Sequence, residues 1–304
     1  MTPADTARDG GREVLITAPG FYPEITPTQY FSEPCPEAAL TNSGVQMLAP
    51  IGAAPAKFAH NHPAINSDHV DKKSTAAQYM GSLVHRLALG KGVDYEISPY
   101  AEYRTNEAKA WKADIEARGL IPVKQGDFDD AQKMANRIIP EIERACQGLS
   151  YQTEVVIAWQ ETINGVTVWC RAMVDVWCEQ LLLALDVKTS RDCSDEYLIK
   201  SLTNGYAVQD AWYRRGLGAV ARQKGRVRFG FLFVESDPPF LSRNVVATEA
   251  FRFGGSAFCN RALEIFASCM NDNNWPGYPD LIAQPPTWWV GRIDAITLLE
   301  EIDQ

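Results

Sequence analysis

Apolar side chains recur at three- and four-residue intervals in the first half of the chain, a spacing that places them along one face of a helix. The pattern predicts amphipathic helices over residues 74–89, 106–118 and 128–147. Residues 1–70 lack this period and contain many prolines, which break long helices. We therefore expect an irregular N-terminal arm with one short helix near residues 43–48.

The hydrophobic period shortens to two after residue 150, as is typical of strands. Residues 154–160 and 167–177 are rich in β-branched and aromatic side chains, and Asn164-Gly165 between them predicts a tight hairpin. Residues 181–188 are apolar on both faces before they end in polar residues. A strand of this kind belongs in the centre of a sheet that helices cover on both sides.

Helical spacing returns over residues 195–217, and a strand over 226–235 and a helix over 254–270 follow. The order of helices and strands predicts an α/β or α+β class in which a central sheet carries helices on both faces. A chain of 304 residues is long enough for one large domain or two small ones.

The net charge of −9 argues at first against a nucleic-acid partner, because proteins that grip phosphates usually carry a basic surface. The charge is unevenly distributed, however. Residues 186–230 hold nine basic side chains against five acidic ones, so the acidic excess lies elsewhere. A solvated face is the simpler explanation of this segment, and a surface that contacts DNA phosphates is the functional one.

The seven cysteines include no C-x2-C pair, and their number is odd. This pattern argues against a disulfide framework and against a structural zinc or iron–sulfur site. The N-terminus lacks the pattern of a secretory signal, and no apolar stretch is long enough to cross a bilayer. We therefore expect a cytoplasmic protein with reduced thiols and no membrane partner.

The strongest candidate for chemistry is the acid-x-Lys pair Asp186-Val187-Lys188. The same spacing occurs at Asp71 and Glu107, but only this copy ends a buried strand. Residues two apart on a strand point to the same face, so Asp186 and Lys188 are expected side by side. A surface ion pair at a strand end is the alternative.

Asp175 strengthens the functional interpretation because it lies near the end of the preceding strand. A short turn at residues 178–180 would make the two strands antiparallel neighbours, which can bring Asp175 close to Asp186. Two carboxylates at short range favour a bound divalent cation, and oxygen ligands select Mg²⁺ or Mn²⁺. Lys188 would then stabilise or activate a water that attacks a phosphate.

Two helices add further candidates. Gln209 and Tyr213 are four residues apart, so they share one face of the helix that follows the acidic strand. His85 lies on the helix predicted over 74–89, where a single histidine is more often structural than functional.

Two consecutive motifs resemble the core of the PD-(D/E)xK nuclease superfamily and, more narrowly, the RecE (exonuclease VIII) nuclease domain of phages and prophages. They are Asp186-Val187-Lys188-Thr189-Ser190 and Tyr206-x2-Gln209-Asp210-Ala211-Trp212-Tyr213. Shorter segments in the same order extend the likeness: residues 20–25, 40–43, 80–85, 231–235 and 275–278. The resemblance covers roughly residues 20–289.

The resemblance implies a role for each matching residue. The metal would be held by Asp175, Asp186, the Val187 carbonyl and His85. Lys188 would be the catalytic lysine, and Gln209 and Tyr213 would position the phosphate or the lysine. The expected DNA contacts are Thr189, Ser190, Arg191, Arg214 and Arg215. Glu154 matches a family acid at the start of the first long strand, where a strand-edge salt bridge is equally plausible.

The resemblance also implies a PD-(D/E)xK core formed by a single nuclease domain over residues 20–293, with a flexible N-terminus (1–19) and an acidic tail (294–304). The expected activity is Mg²⁺-dependent digestion of linear duplex DNA from its ends, with Mn²⁺ as a substitute. Relatives digest 5′ to 3′, leave a 3′ strand for an annealing recombinase and form rings, which implies a homo-oligomer in a bacterial host cell. The alternative is a non-catalytic or structure-specific DNA-binding relative that scaffolds a recombinase.

Overall fold

The computed structural model describes residues 8–9, 12–70 and 75–293. The predicted acidic tail, part of the predicted flexible N-terminus and the first residue of the helix predicted over 74–89 lie outside the described residues.

Eleven strands occur in the described residues. They are β1 (Arg8–Asp9), β2 (Arg12–Glu13), β3 (Gly20–Tyr22), β4 (Ala39–Leu40), β5 (Tyr95–Ile97), β6 (Ile121–Val123), β7 (Gln152–Ile163), β8 (Val166–Cys178), β9 (Leu183–Ser190), β10 (Arg228–Glu235) and β11 (Ser242–Val245).

Nine α-helices lie between and after these strands in the described part of the chain. They are α1 (Pro27–Phe31), α2 (Asn42–Leu48), α3 (Pro55–His60), α4 (Ala76–Leu89), α5 (Asn106–Ala117), α6 (Gln125–Ala145), α7 (Asp195–Ser201), α8 (Ala207–Val220) and α9 (Glu249–Asp272).

A seven-stranded mixed sheet forms the centre of the molecule, with strand order β11-β10-β9-β8-β7-β3 and with β4 paired to β8. Strands β9 and β10 are parallel, as are β4 and β8, and the other neighbours are antiparallel. The crossover from β9 to β10 runs through α7 and α8. The sheet with helices on both faces confirms the predicted fold class.

The hairpin between β7 and β8 turns at the predicted dipeptide. Asn164 and Gly165 have φ angles of 50° and 85°, and the flanking residues Ile163 and Val166 are paired. Two positive φ angles in a two-residue loop match the twist of the strands it joins. The sequence signal therefore located this turn correctly.

The two faces of the sheet bury separate apolar clusters. Helices α2, α8 and α9 cover one face, where Trp159, Trp212 and Phe266 are buried. Helices α4 and α6 cover the other face with residues such as Leu83 and Ile138. Complete burial of such side chains stabilises the fold by about 1.5–3 kcal/mol each.

Close contact between α8 and the sheet depends on a glycine. A Cβ atom on Gly216 would lie 2.5 Å from the Trp159 ring, closer than any real contact of this kind. Gly216 therefore allows α8 to approach β7.

The N-terminal arm contains more regular structure than its prolines predict. Besides α2, which was expected near residues 43–48, it contributes α1 and α3 and adds β3 and β4 to the central sheet. Ile16 is fully buried, and its backbone N–H donates to the Pro34 carbonyl. The packed part of the chain thus begins before residue 20.

The helix predicted over 195–217 is interrupted. A wide helical turn at Leu202–Tyr206 separates α7 from α8, and Gly205 has a φ of 143°. Only glycine adopts this conformation readily, so Gly205 allows the chain to change direction here. Hydrophobic spacing continues through the interruption, which is why it does not reveal the break.

Among the described residues, no helix is both long enough and apolar enough to span a bilayer.

Candidate functional site

The pairing of β7 and β8 is interrupted where two acidic residues face each other. Thr153 pairs with Val176 and Val155 pairs with Val174, but Glu154 and Asp175 between them form no pair. Glu154 has a φ of 49°, a left-handed conformation that costs roughly 1–3 kcal/mol in a non-glycine residue.

The alternation of side chains along β8 also reverses at this point. Val174 belongs to the cluster under α8 and α9, whereas Val176 belongs to the cluster under α4 and α6. Residues two apart on a regular strand would share one face. Such irregularities next to a site redirect side chains, and here the redirected side chains are carboxylates.

Strands β8 and β9 separate next to this irregularity, because a side chain takes the place of a backbone acceptor. Their last pair is Val176 with Leu185. Two residues beyond Leu185, the backbone amide of Val187 donates to Asp175 Oδ2 over 2.7 Å. The antiparallel arrangement expected from the sequence therefore places Asp175 beside β9.

The Asp186 carboxylate contacts Lys188 through one oxygen and the side-chain amide of Gln209 through the other. Its Oδ2 is 2.5 Å from Lys188 Nζ, and its Oδ1 accepts a hydrogen bond from Gln209 Nε2 at 2.5 Å. Asp186 and Lys188 share one face of β9, as their spacing predicts. Gln209 reaches them from α8.

His85 approaches the same cluster from α4. Its Nε2 is 2.9 Å from the Val187 carbonyl and 3.7 Å from Asp175 Oδ2. Its Nδ1 is 3.3 Å from Glu154 Oε1. The imidazole thus connects the backbone of β9 with the two acids of the interrupted β7–β8 pair.

Burial and the neighbouring charges shift the pKa values of this cluster in opposite directions. Burial lowers the pKa of His85, but the Asp175 and Glu154 carboxylates outweigh that effect and raise it to about 9. Burial raises the pKa of Asp186 to about 6 despite the nearby ammonium group of Lys188. Burial also raises the pKa of Asp175. The site holds more carboxylates than its two cations neutralise.

These donors suit a hard divalent cation. Ligand atoms of His85, Glu154 and Asp175 all lie within 4.8 Å of one another. Asp186 Oδ2 is buried and makes no hydrogen bond to the described residues beyond its ion-pair contact with Lys188. Carboxylate oxygens with one imidazole are ligands for Mg²⁺ or Mn²⁺. Binding through His85 requires the neutral imidazole.

Glu154 is more central than its sequence position indicates. It is only 4% exposed and contacts His85, so it belongs to the acidic cluster rather than to a surface salt bridge. The left-handed backbone that brings it there leaves no signal in the hydrophobic pattern, and the family likeness is the one sequence feature that singles it out.

Two tyrosines surround the lysine and the glutamine. Tyr213, one turn after Gln209 on α8, is buried, and burial holds its pKa well above the usual value. The Tyr206 ring lies 5.5 Å below Lys188 Nζ. Tyr206 was recognised only as part of a motif, and its contact with the lysine depends on the wide turn before α8.

The structure places the expected DNA contacts in different surroundings. Thr189 lies beside Gly81 of α4, close to the acidic cluster. Ser190 exchanges hydrogen bonds with the backbone of Asp192, and Arg191 is exposed.

The other two expected contacts, Arg214 and Arg215, are held by protein groups. Arg214 pairs with Asp210 and donates to the carbonyls of β10 and of the turn before it. Arg215 forms an ion pair with Glu161 and donates a hydrogen bond to Asn260 Oδ1. Neither guanidinium reaches the acidic cluster.

The chain resembles known proteins of one fold. Residues 50–284 match the family described as "PDDEXK-like domain of unknown function (DUF3799)". No curated protein matches the sequence.

One solved structure shares the fold of this chain. A protein of Eubacterium rectale described as a putative exonuclease superposes with a TM-score of 0.52 at 15% identity, covering 87% of this chain and 96% of that chain. A phage related exonuclease from Haemophilus somnus 129PT has a TM-score of 0.32 at 11% identity, covering 78% and 97%. The family match spans most of the chain, and the fold and the acid-x-Lys strand agree with it. The chain therefore belongs to the family of PDDEXK-like domains.

Proposed function

We propose that this protein is a Mg²⁺-dependent deoxyribonuclease that digests linear duplex DNA from its ends. The observation that carries the proposal is the convergence of His85, Glu154 and Asp175 with the Asp186–Lys188 pair at one interruption of the sheet. Five titratable groups, three of them carboxylates, converge there from separate elements. A purely structural role does not require such an excess of negative charge.

The metal would be held by Asp175, Glu154, Asp186 and His85. A bound Mg²⁺ supplies Lewis-acid polarisation of the phosphate and lowers the pKa of a water. Mn²⁺ fits the same donors. The chain itself must orient the phosphate and deliver or remove protons.

Lys188 is the residue that acts on the attacking water in this proposal. Burial opposes the charge of its ammonium group, but Asp186 and Asp175 outweigh that effect and raise its pKa. The lysine therefore stays protonated at neutral pH. It donates to the phosphate or to the water and stabilises the negative charge that develops during in-line attack.

Gln209 and Tyr213 would orient the groups around Lys188. Gln209 fixes one oxygen of Asp186, which leaves the other oxygen directed at Lys188. Tyr213 packs one turn along α8 and supports the orientation of the glutamine. Thr189, near the end of β9, and Arg191, just after the strand, would contact the DNA backbone.

The finer activity rests on the RecE-like motifs. They imply digestion from 5′ to 3′ that leaves a 3′ single strand for an annealing recombinase, a homo-oligomeric ring and a bacterial cytoplasm. The words "exonuclease" and "phage related" in the descriptions of two structural neighbours agree with this class.

End-labelled linear duplex and closed circular duplex, each with Mg²⁺ or EDTA, test the proposal together. We expect Mg²⁺-dependent loss of the linear DNA, with the 5′ label released first and the circle intact. Digestion of the circle would contradict an exonuclease. No digestion with Mg²⁺ or Mn²⁺ would contradict a nuclease.

A further inference from the structure

The basic segment found in the sequence divides into two groups in the structure. Arg214 and Arg215 are tied to carboxylates and carbonyls within the protein. Four other cations are exposed between the end of α8 and the first residue of β10: Arg222, Lys224, Arg226 and Arg228. We call residues 222–228 the basic turn.

The cations of the basic turn have no ion pair among the described residues. Arg226 donates to the Gln223 amide and Arg228 to a backbone carbonyl. The turn itself contains no acidic residue. Its charge is therefore available to a partner.

A groove lies between the basic turn and α9. Two adjoining cavities of about 470 and 350 Å³ share Arg214, Gly225, Arg252 and Ser256 in their walls. Lys224 lines one of them. Gly225 has a φ of 75°, so the turn folds back there without a side chain over the groove.

Arg252 gives the groove an unsatisfied donor. Its Nε is buried and has no hydrogen-bond partner among the described residues. Because a buried donor without a partner is costly, an acceptor in the groove would be bound favourably. The carboxylates around it are Glu161 and Asp210, both paired with arginines, and Glu249. Four cations line the two cavities: Arg214, Arg215, Lys224 and Arg252.

Helix α8 connects the groove with the acidic cluster. Gln209 contacts Asp186, and Arg214 and Arg215 line the groove five and six residues later. That separation is about 8–9 Å along the helix axis. A duplex is much longer than this separation, so DNA engaged at the acidic cluster would extend past the end of α8, which favours duplex DNA over a short acidic peptide as the ligand of the groove.

We propose that the basic turn and Arg252 form a second DNA-binding surface, separate from the metal site, that holds the phosphates of the duplex beside the end being digested. This inference rests on the proposed nuclease function for the identity of the polyanion. The phosphodiester would lie in the groove, with Arg252 and Ser256 donating to it and with the basic turn along the neighbouring phosphates.

The test is a salt titration of DNA binding without digestion. Fluorescence anisotropy measures the affinity of the whole protein for a labelled blunt duplex in EDTA at rising KCl. The triple variant Arg222→Gln, Lys224→Gln, Arg226→Gln should reduce the slope of log K against log[KCl] by about 2 to 3, since each phosphate contact contributes about 0.9. The single variant Arg252→Gln should reduce it by about 1.

A matched control neutralises three exposed cations without ion pairs among the described residues, Arg104, Lys109 and Arg137. This control should keep the wild-type slope. An unchanged slope in the basic-turn variant, or an equal loss in the control, would overturn the inference. Binding of an acidic peptide at the turn with an unchanged DNA slope would also overturn it.

These measurements distinguish a failure of this inference from a failure of the proposed nuclease function. If the wild-type protein digests DNA and the basic-turn variant binds with the wild-type slope, the inference alone fails. If no digestion occurs but the slope still depends on the turn, the nuclease proposal fails and the surface remains. Melting temperatures within about 2 °C of wild type, a small change for a chain of this size, show that the variants are folded.

Discussion

Glu33 and Glu154 have the same unusual backbone but opposite surroundings. Both are buried, and both adopt positive φ angles, 62° and 49°. Glu33 is enclosed by donors: its Oε1 accepts from the Ala39 amide at 3.0 Å, and its Oε2 pairs with Arg171. Among the described residues, Glu154 has a hydrogen bond or ion pair with His85 alone, and its ligand oxygen lies within 4.8 Å of one from Asp175.

The difference contrasts a structural charge pair with the cluster that we propose is functional. Arg171 is always charged and fixes Glu33, so that this pair ties the N-terminal arm to β8. The cluster around Glu154 carries excess negative charge, which a folded protein tolerates where a cation or a substrate completes the site. The two clusters should therefore respond oppositely to mutation and to metal.

The largest effect is expected from Lys188→Ala or Asp186→Ala in the acidic cluster. Loss of either group should lower the rate of duplex digestion by at least about 10³-fold, because each contributes electrostatically to the transition state. The melting temperature should stay near the wild-type value in Asp186→Ala, which relieves the excess negative charge, and fall in Lys188→Ala, which leaves Asp186 buried without its cation. Gel assays with equal amounts of folded protein measure the rate, and a rate near wild type would refute the site assignment.

The next largest effect is expected from a substitution in the buried pair of Arg171 and Glu33. Arg171→Met should lower the free energy of unfolding by about 3–5 kcal/mol, because it leaves the buried Glu33 carboxylate without its guanidinium partner. The contacts left to Glu33 are His62 Nε2 at 3.3 Å and the Ala39 amide. Urea titration measures this value. The double variant with Glu33→Gln should recover part of the loss, while the digestion rate per folded molecule stays unchanged. A loss below about 1 kcal/mol would show that the pair does not anchor the arm.

A smaller effect is expected from Glu154→Gln. The Mg²⁺ concentration for half-maximal digestion should rise by about 10- to 100-fold, the range found when groups supporting a metal site are removed. Glu161→Gln on the same strand is the matched control, because Glu161 pairs with Arg215 away from the cluster. Equal metal dependence in both variants would exclude Glu154 from the metal site.

The smallest expected effect is the stabilisation of the folded protein by Mg²⁺. At tenfold excess over its dissociation constant, Mg²⁺ should stabilise the wild-type protein by about 1.4 kcal/mol, since it binds the folded state alone. Differential scanning fluorimetry would record a rise of a few degrees. Glu33→Gln should keep this shift and Asp175→Asn should lose it. The same shift in both variants would mean that the cation binds elsewhere.

Elements with long, regular periods were predictable from the sequence. The strands β7 to β10 and the helices α4, α5, α6 and α9 lie where the spacing places them, with ends shifted by a few residues. Strands β3, β4 and β11 were not predicted, because two to four residues carry too little pattern. Their pairing depends on distant partners.

The candidate site was partly predictable for the same reason. Asp186 and Lys188 lie on one strand, and their side-by-side arrangement follows from strand geometry. The contact of His85 with Val187 bridges 102 positions of the sequence, and the reversal at Glu154 depends on a backbone conformation. The pairing of Arg215 was not predictable, because its partners Glu161 and Asn260 are distant in sequence. The local pair of Arg214 with Asp210 has a helical spacing of four residues that the sequence does contain.

The hydrogen bond from the Val187 amide to Asp175 makes one carboxylate part of the sheet itself. Alanine at position 175 would remove a strand-joining acceptor together with a proposed metal ligand, whereas asparagine keeps an oxygen at that place. The Val187 amide should consequently report on the site by hydrogen exchange. Its protection is expected to survive in Asp175→Asn and to fall in Asp175→Ala, which makes a single backbone proton a measure of how well β8 and β9 are held together in the centre of the sheet.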